Sequence, residues 1–329
     1  MRIVTLEEHI SLPQFDNRIS KEARMKRGWP NPDDETSPMK RVQHLLADVE
    51  KERIKDMDDN GVTLQALSVT APGGDLLEGK EAISYAHDYN DEMATIVAKQ
   101  PQRFAGFAVL PMSVPEAAAE ELERAIKTLG FCGTMINGTT QDKFLDDEQF
   151  ASILSAAEAL DVPIYIHPNL PVKAVNDVYY NNLPGSLGFM LSIAGWGWHS
   201  ETAIHVLRMI LAGTFDKHPK LKIIIGHMGE MLPMMMARID NIYKDSGLKR
   251  TVIEVLKSNV WITTSGLFTQ PPLQLALDTF GVDRILFSVD YPYSPNQAGR
   301  KFLDEMKVSP EEKEKIAHGN TDALLKLKA

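Results

Sequence analysis

Near the start of the chain, Val4-Thr5-Leu6-Glu7-Glu8-His9 sets a carboxylate and an imidazole two positions apart behind an apolar lead-in. On a strand, side chains alternate between faces, so Glu7 and His9 point one way and Glu8 the other. A carboxylate and an imidazole side by side at a strand end form half of a cation site. Ile166-His167-Pro168 and Phe287-Ser288-Val289-Asp290 supply the other half. Two neutral imidazoles and two carboxylates suit one Zn²⁺ or Mn²⁺, and these donor types do not separate the two. A site with an open position would accept an anionic bidentate ligand.

A second group follows in Ile225-Gly226-His227-Met228-Gly229-Glu230. His227 ends an apolar run and is expected to face the same cavity. Glu230, three residues on at an expected helix start, would hold the ring and raise its basicity. Arg238 lies eight residues after Glu230, about two helical turns, so it could share that face. A surface ion pair to Asp240 is the competing reading of Arg238. His44, His87, His199, His205, His218 and His318 fall in helical or loop contexts and are assigned no chemistry.

These residues need a scaffold that brings distant strand ends together. Short β-rich runs fall near 2–9, 63–71, 104–111, 131–137, 163–167, 221–227, 260–265 and 284–290, eight in all. Amphipathic stretches separate them. In Glu116–Leu129, Ala118, Leu122, Ala125, Ile126 and Leu129 keep a helical period. Eight β/α units in one domain spanning 1–329 predict an α/β fold, a (β/α)8 TIM barrel. An open doubly wound sheet is the alternative, weakened because no Gly-rich phosphate loop follows the first strand. Loop or helical insertions are expected after strands one and five, at 11–38 and 168–199. Both lie at carboxyl strand ends, where barrels carry their chemistry. The Met228, Met231, Met234, Met235 and Met236 group is expected to pack a core helix. Ser309-Pro310-Glu311-Glu312 predicts a capped helix, with Ala323, Leu324 and Leu325 against the outside of the barrel.

Bulk composition narrows the function class. Lys plus Arg total 35 against 45 Asp plus Glu, a net charge of −10, so no broad cationic field exists for nucleic acid. No apolar run approaches the roughly 20 residues that span a bilayer. The one cysteine, Cys132, excludes internal disulfides and thiolate clusters and reads as a small core residue. No leader is expected before the first strand, and a cytoplasmic setting fits.

In order and kind, Leu6-Glu7-Glu8-His9, Thr70-Ala71-Pro72-Gly73, Ile136-Asn137-Gly138, Ile166-His167-Pro168, Gly226-His227-Met228-Gly229-Glu230, Arg238-Ile239-Asp240 and Ser288-Val289-Asp290-Tyr291-Pro292 resemble the decarboxylase branch of the amidohydrolase superfamily. That branch includes aminocarboxymuconate-semialdehyde and dihydroxybenzoate decarboxylases, and the likeness is greatest to the γ-resorcylate and 2,3-dihydroxybenzoate enzymes. The resemblance runs to Gly319-Asn320, essentially the whole chain. It implies a metal held by Glu7, His9, His167 and Asp290, with His227 and Glu230 beside it. It also implies that Arg238 reaches a substrate carboxylate or adjacent oxygen, within the chain or across a subunit contact. Glu7-x-His9 stands where two-metal hydrolases carry His-x-His, which favours a single cation.

The implied reaction is non-oxidative decarboxylation of an ortho-hydroxylated aromatic acid. The substrate carboxylate and phenolate would chelate the cation, and Asp290 would protonate the ring carbon, assisted by His227 and Glu230. Asn137, Phe189 and Tyr291 are expected substrate contacts, from strand-end position and likeness. No organic cofactor is implied. A homo-oligomer, dimer or tetramer, is. Hydrolysis of a lactone or amide by metal-activated water uses the same ligands and is the rival chemistry; a catalytically silent metal-binding scaffold is the other.

Overall fold

The structure, a computed structural model, describes residues 1–34 and 37–327. Its strands are β1 (Val4–Ile10), β2 (Leu64–Val69), β3 (Phe104–Ala108), β4 (Gly133–Asn137), β5 (Pro163–His167), β6 (Lys222–Ile225), β7 (Val260–Thr263) and β8 (Ile285–Leu286). They pair in parallel in chain order. Parallel strands covered by helices are buried on both faces, and every residue of β1, β2, β4 and β5 is buried. The expected (β/α)8 barrel is the observed fold.

β8 is shorter than the expected 284–290 because its chain leaves the ladder early. Phe287 N–H donates to Ile316 O at 2.9 Å and Ser288 N–H to Thr264 Oγ1 at 3.0 Å. Closure onto β1 is therefore made largely by side chains. Ser288 Oγ accepts from Leu6 N–H at 3.0 Å and Glu7 N–H at 2.7 Å, and His9 N–H donates to Tyr291 O at 2.7 Å.

The helices form where the periodicity places them. Pro115 opens Pro115–Lys127 at the position that needs no N–H, and Ser309 and Glu312 make the expected capping box. Leu6, Ala66, Phe107, Met135, Tyr165, Ile224 and Leu286 form one interior cluster. Leu324 and Leu325 join that cluster, with Cys132, so the last helix plugs one end of the barrel and does not lie on its outside. The methionine group also divides. In the helix Leu232–Tyr243, Met236 is buried whereas Met234 and Met235 are exposed, because only one stripe of it meets the core; Met228 is buried in the turn before it. Among the described residues, no helix is long and apolar enough to cross a membrane.

Of the 11–38 segment, 35–36 lie outside the described residues and the rest includes short helices Pro13–Asp16 and Lys21–Arg27; the segment after β5 includes Lys173–Tyr179 and Leu187–Met190. They lean on each other over the barrel mouth. Trp29 packs with Leu170 and Ile193, and Arg27 donates to Pro171 O at 2.8 Å.

A buried histidine outside the mouth gives this fold a pH signature. His205 Nε2 accepts from Leu145 N–H at 2.9 Å, which requires an unprotonated nitrogen. Burial pushes its pKa down to about 3. An unfolded imidazole titrates near 6.5, so as pH falls the unfolded chain takes up this proton first and stability is lost from there toward about 3. From pH 7 to pH 5 the free energy of urea unfolding should fall by about 2 kcal/mol more for the native protein than for His205→Gln. Equal pH slopes for the two proteins would contradict this.

Candidate metal centre

A bulge aims the first two donors. The β1–β2 register slips between Thr5 and Glu8, so Leu6 and Glu7 together stand opposite Ala66. Beyond the slip, Glu7 and His9 enter the barrel and Glu8 points out. The ligand atoms of Glu7, His9 and His167 lie within 4.8 Å of one another. His167 Nε2 is 3.5 Å from Glu7 Oε1, and His9 Nε2 is 3.3 Å from Asp290 Oδ1. All four sequence-named donors thus meet at one end of the barrel.

The donor set fits a divalent cation. Glu7 Oε2 accepts from Tyr165 OH and from Thr263 Oγ1 at 3.2 Å, while Glu7 Oε1 is buried with no hydrogen-bond partner. His9 Nδ1 meets Ser68 Oγ at 3.2 Å, and its Nε2 is likewise buried without a properly aligned partner. Two buried polar atoms left open toward each other are costly unless a ligand completes them. Glu7 and His9 thus carry supporting bonds on their far sides, the usual way a metal ligand is oriented, whereas His167 Nδ1 is buried without a partner. Burial and the neighbouring His9 hold the His167 pKa well below its usual value, so it is a neutral imidazole fit to coordinate. Burial pushes the Glu7 carboxyl up, an expense that a cation beside Oε1 would offset.

Gly226 leaves room for this cage. A Cβ there would stand 2.9 Å from Glu7 Oε2 and 3.1 Å from Oε1. Gly226→Ala should therefore displace the carboxylate and weaken Mn²⁺ binding about 10- to 100-fold by titration calorimetry, the range seen when metal ligands lose support. Unchanged affinity would refute the crowding argument.

Next to the cage the chain makes a left-handed turn, not the expected helix start. His227 (φ 48°), Met228 (54°), Gly229 (83°), Glu230 (52°) and Met231 (66°) are successive positive-φ residues. Such backbone costs roughly 1–3 kcal/mol at each side-chain-bearing residue and persists where surroundings enforce it, typically at functional sites. Here Glu230 enforces it. Its Oε1 lies 2.7 Å from His227 Nδ1 and its Oε2 2.6 Å from His199 Nδ1. His227 Nε2 in turn lies 3.9 Å from both Glu7 Oε1 and Asp290 Oδ2. Burial opposes charge on His227, but Glu230, Glu7 and Asp290 outweigh it and hold its pKa well above the ordinary value. Burial would raise the Glu230 and Asp290 carboxyls too, yet their imidazole neighbours bring each down to about 2. The arrangement stores a proton on His227, between two carboxylates.

His199 is a site residue that sequence reasoning missed. Its only signal is position after Trp196-Gly197-Trp198 at the end of the long β5 connection. The expected substrate contacts separate. Asn137 is register-paired with His167 and so projects toward the mouth; it is buried, with Oδ1 unpartnered. Beside it, burial pushes the Asp75 carboxyl up to about 7 despite Asn137 and Arg27. Phe189 joins the roof, 6.4 Å from the Trp29 ring, and Trp198 reaches within 6.0 Å of the His167 ring.

Tyr291 does not face the cage. It is bridged to Glu8, which points outward, so its ring lies under the Arg53 guanidinium at 4.7 Å. Tyr293, two residues on, faces inward instead, 5.6 Å from the His9 ring and with its OH 2.6 Å from Thr70 Oγ1. Arg238 is exposed, because left-handed Met231 breaks the helical count from Glu230. Asp240 bonds Ile253 N–H at 2.9 Å.

The amidohydrolase family model matches residues 40–327. The chain is 38% identical to decarboxylase orsB of Emericella nidulans over 286 residues, covering 84% of this chain and 85% of that protein. It is 35% identical to the gamma-resorcylate decarboxylase of Rhizobium sp., covering 98% of each. Among solved structures it resembles a dihydroxybenzoic acid decarboxylase from Polaromonas sp. JS666 with bound manganese and the inhibitor 2-nitroresorcinol. That match has a TM-score of 0.86 and 34% identity, over 100% of this chain and 98% of that one. By its sequence and its fold, this chain belongs to the amidohydrolase family.

Proposed function

We propose that this chain is a carboxy-lyase, a metal-dependent, non-oxidative decarboxylase of an ortho-hydroxylated aromatic acid of the dihydroxybenzoate class. One observation carries the reading. A cage of Glu7, His9, His167 and Asp290 adjoins a chain of acid and imidazole groups, buried His227 and Glu230 flanked by half-buried His199 at 2.6 Å from Glu230 and half-buried Asp290 at 3.9 Å from His227. A cation that is only structural would not need that chain. The relatives that match it carry decarboxylase names.

A divalent cation held by Glu7, His9, His167 and Asp290 would supply Lewis acidity toward a carboxylate and its ortho hydroxyl. The chain's own groups do the rest. Direct loss of CO₂ would leave an aryl anion, so protonation must come first. Asp290, a carboxylate before substrate arrives, takes the His227 proton as the acid binds and delivers it to the ring carbon bearing the carboxylate. The carbon–carboxyl bond then breaks, its electron pair restores the aromatic ring, and CO₂ departs. His227, held by Glu230, regains its proton from solvent, so each turnover consumes one. Trp29, Phe189 and Trp198 roof the site with apolar surface suited to an aromatic ring.

Manganese is the cation this reading favours over zinc, supported by the manganese in the Polaromonas structure. No organic cofactor, nucleic acid or membrane enters the reaction, and the setting is cytoplasmic. A homo-oligomer belongs to the reading as well. Val178, Tyr179, Leu187, Trp196, Met234 and Ile242 are exposed apolar side chains on the connections after β5 and β6, which contact with a second copy would cover. Arg238 lies on the same helix as Met234 and Ile242 and would serve an adjoining copy's substrate.

The test incubates Mn²⁺-loaded protein with a panel of hydroxybenzoates and lactones, following CO₂ and ring products. CO₂ release from a 2-hydroxybenzoate such as 2,6-dihydroxybenzoate is expected. Lactone opening without CO₂ from any acid would overturn the reading in favour of hydrolysis.

A further inference from the structure

Behind the cage lies a second carboxylate that none of the roles above use. Glu8 is fully buried. Its Oε1 accepts from Ser288 Oγ at 2.9 Å and Val289 N–H at 3.1 Å. Its Oε2 accepts from Tyr291 N–H at 3.2 Å and Gln65 Nε2 at 3.3 Å. The two backbone donors are those of the residues on either side of Asp290. Asp290 itself has φ 72°, a left-handed conformation that an aspartate adopts only occasionally.

Among the described residues, Glu8 has no direct ion pair. Its counter-charge arrives through Gln65, whose Oε1 accepts from Arg53 Nη1 at 3.1 Å. Arg53 is also fully buried, and its Nη2 donates to His9 O at 2.6 Å. Burying a carboxylate and a guanidinium costs several kcal/mol per ion, so the pair needs a reason beyond stability. Geometry supplies one. The β1 segment that provides two ligands also provides, from its outward side, the bracket for a third ligand from the opposite end of the chain.

We propose that Glu8 is the positioning residue for Asp290, clamping the peptides that flank it so that its carboxylate meets the cation and substrate at a fixed place. Arg53 and Gln65 hold the clamp. This rests on the reading of Asp290 as ligand and proton donor. It predicts that the effect of losing Glu8 passes through Asp290 alone.

The experiment is a double-mutant cycle of Glu8→Gln with Asp290→Asn, read by Mn²⁺ affinity in calorimetry and by the Mn²⁺ electron paramagnetic resonance signal. Circular dichroism confirms folding, and turnover is measured beside it. Glu8→Gln alone should weaken Mn²⁺ binding about 10- to 100-fold, alter the resonance signal and lower kcat more than it changes KM. In the Asp290→Asn background it should change the affinity less than about two-fold. If Glu8→Gln does not fold, Ser288→Ala, which removes one donor to Glu8, should shift affinity in the same direction by less. Native affinity in the folded variants, or full additivity in the cycle, would overturn the proposal. Coupling in the cycle with no hydroxybenzoate turned over by the native protein would sustain this positioning role while removing the proposed reaction.

Discussion

Asp290→Asn should lower kcat for hydroxybenzoate decarboxylation by roughly 10³- to 10⁴-fold, the upper part of the range for a general acid. Asparagine keeps the shape of the side chain but has no proton to give. It is also among the few residues that accept left-handed backbone, so φ 72° at this position should not unfold the variant. The loss should therefore appear in turnover with the circular dichroism spectrum unchanged. Parallel CO₂-release and folding measurements check it. A folded variant that keeps native kcat would remove Asp290 from the proton-donor role and return His227 as the candidate.

Removing the metal should have an effect of similar size. Dialysis against a chelator is expected to reduce CO₂ release to background, and added Mn²⁺ to restore it. Stability should move with it. Without a cation, the buried Glu7 Oε1 and His9 Nε2 are left without partners in the native state. An ion at 100 times its Kd stabilises the fold by about 2.7 kcal/mol, provided it binds the folded chain only. For a chain of this size that is a rise of several degrees in Tm on adding Mn²⁺. Full activity and an unchanged Tm after exhaustive chelation would contradict the assignment of these donors to a cation.

How much of this was legible before the structure depends on the range of the interaction. The eight strands were readable because each is a short β-rich run between amphipathic stretches, and that periodicity is local. Glu7 and His9 were readable as a pair because alternation along one strand is also local. The bulge that lets Glu7 follow Leu6 into the barrel was not, since it exists only in the register against Ala66. Tyr291 was misjudged for the same reason. Its direction is set by pairing with Glu8, from the other end of the chain, and the inward place falls to Tyr293. His199 carries no local signature because its partner Glu230 sits on a turn reached from another strand. The left-handed turn at 227–231 was hidden by residues that read as a helix start and are held otherwise by tertiary contacts.

The most direct test is a crystal of the Mn²⁺-loaded protein measured near the manganese absorption edge. A single anomalous peak at coordination distance, roughly 2 Å, from Glu7 Oε1, His9 Nε2, His167 Nε2 and an Asp290 oxygen is the expected result. A fully loaded crystal with its peak elsewhere, or touching fewer than three of these residues, would contradict the account.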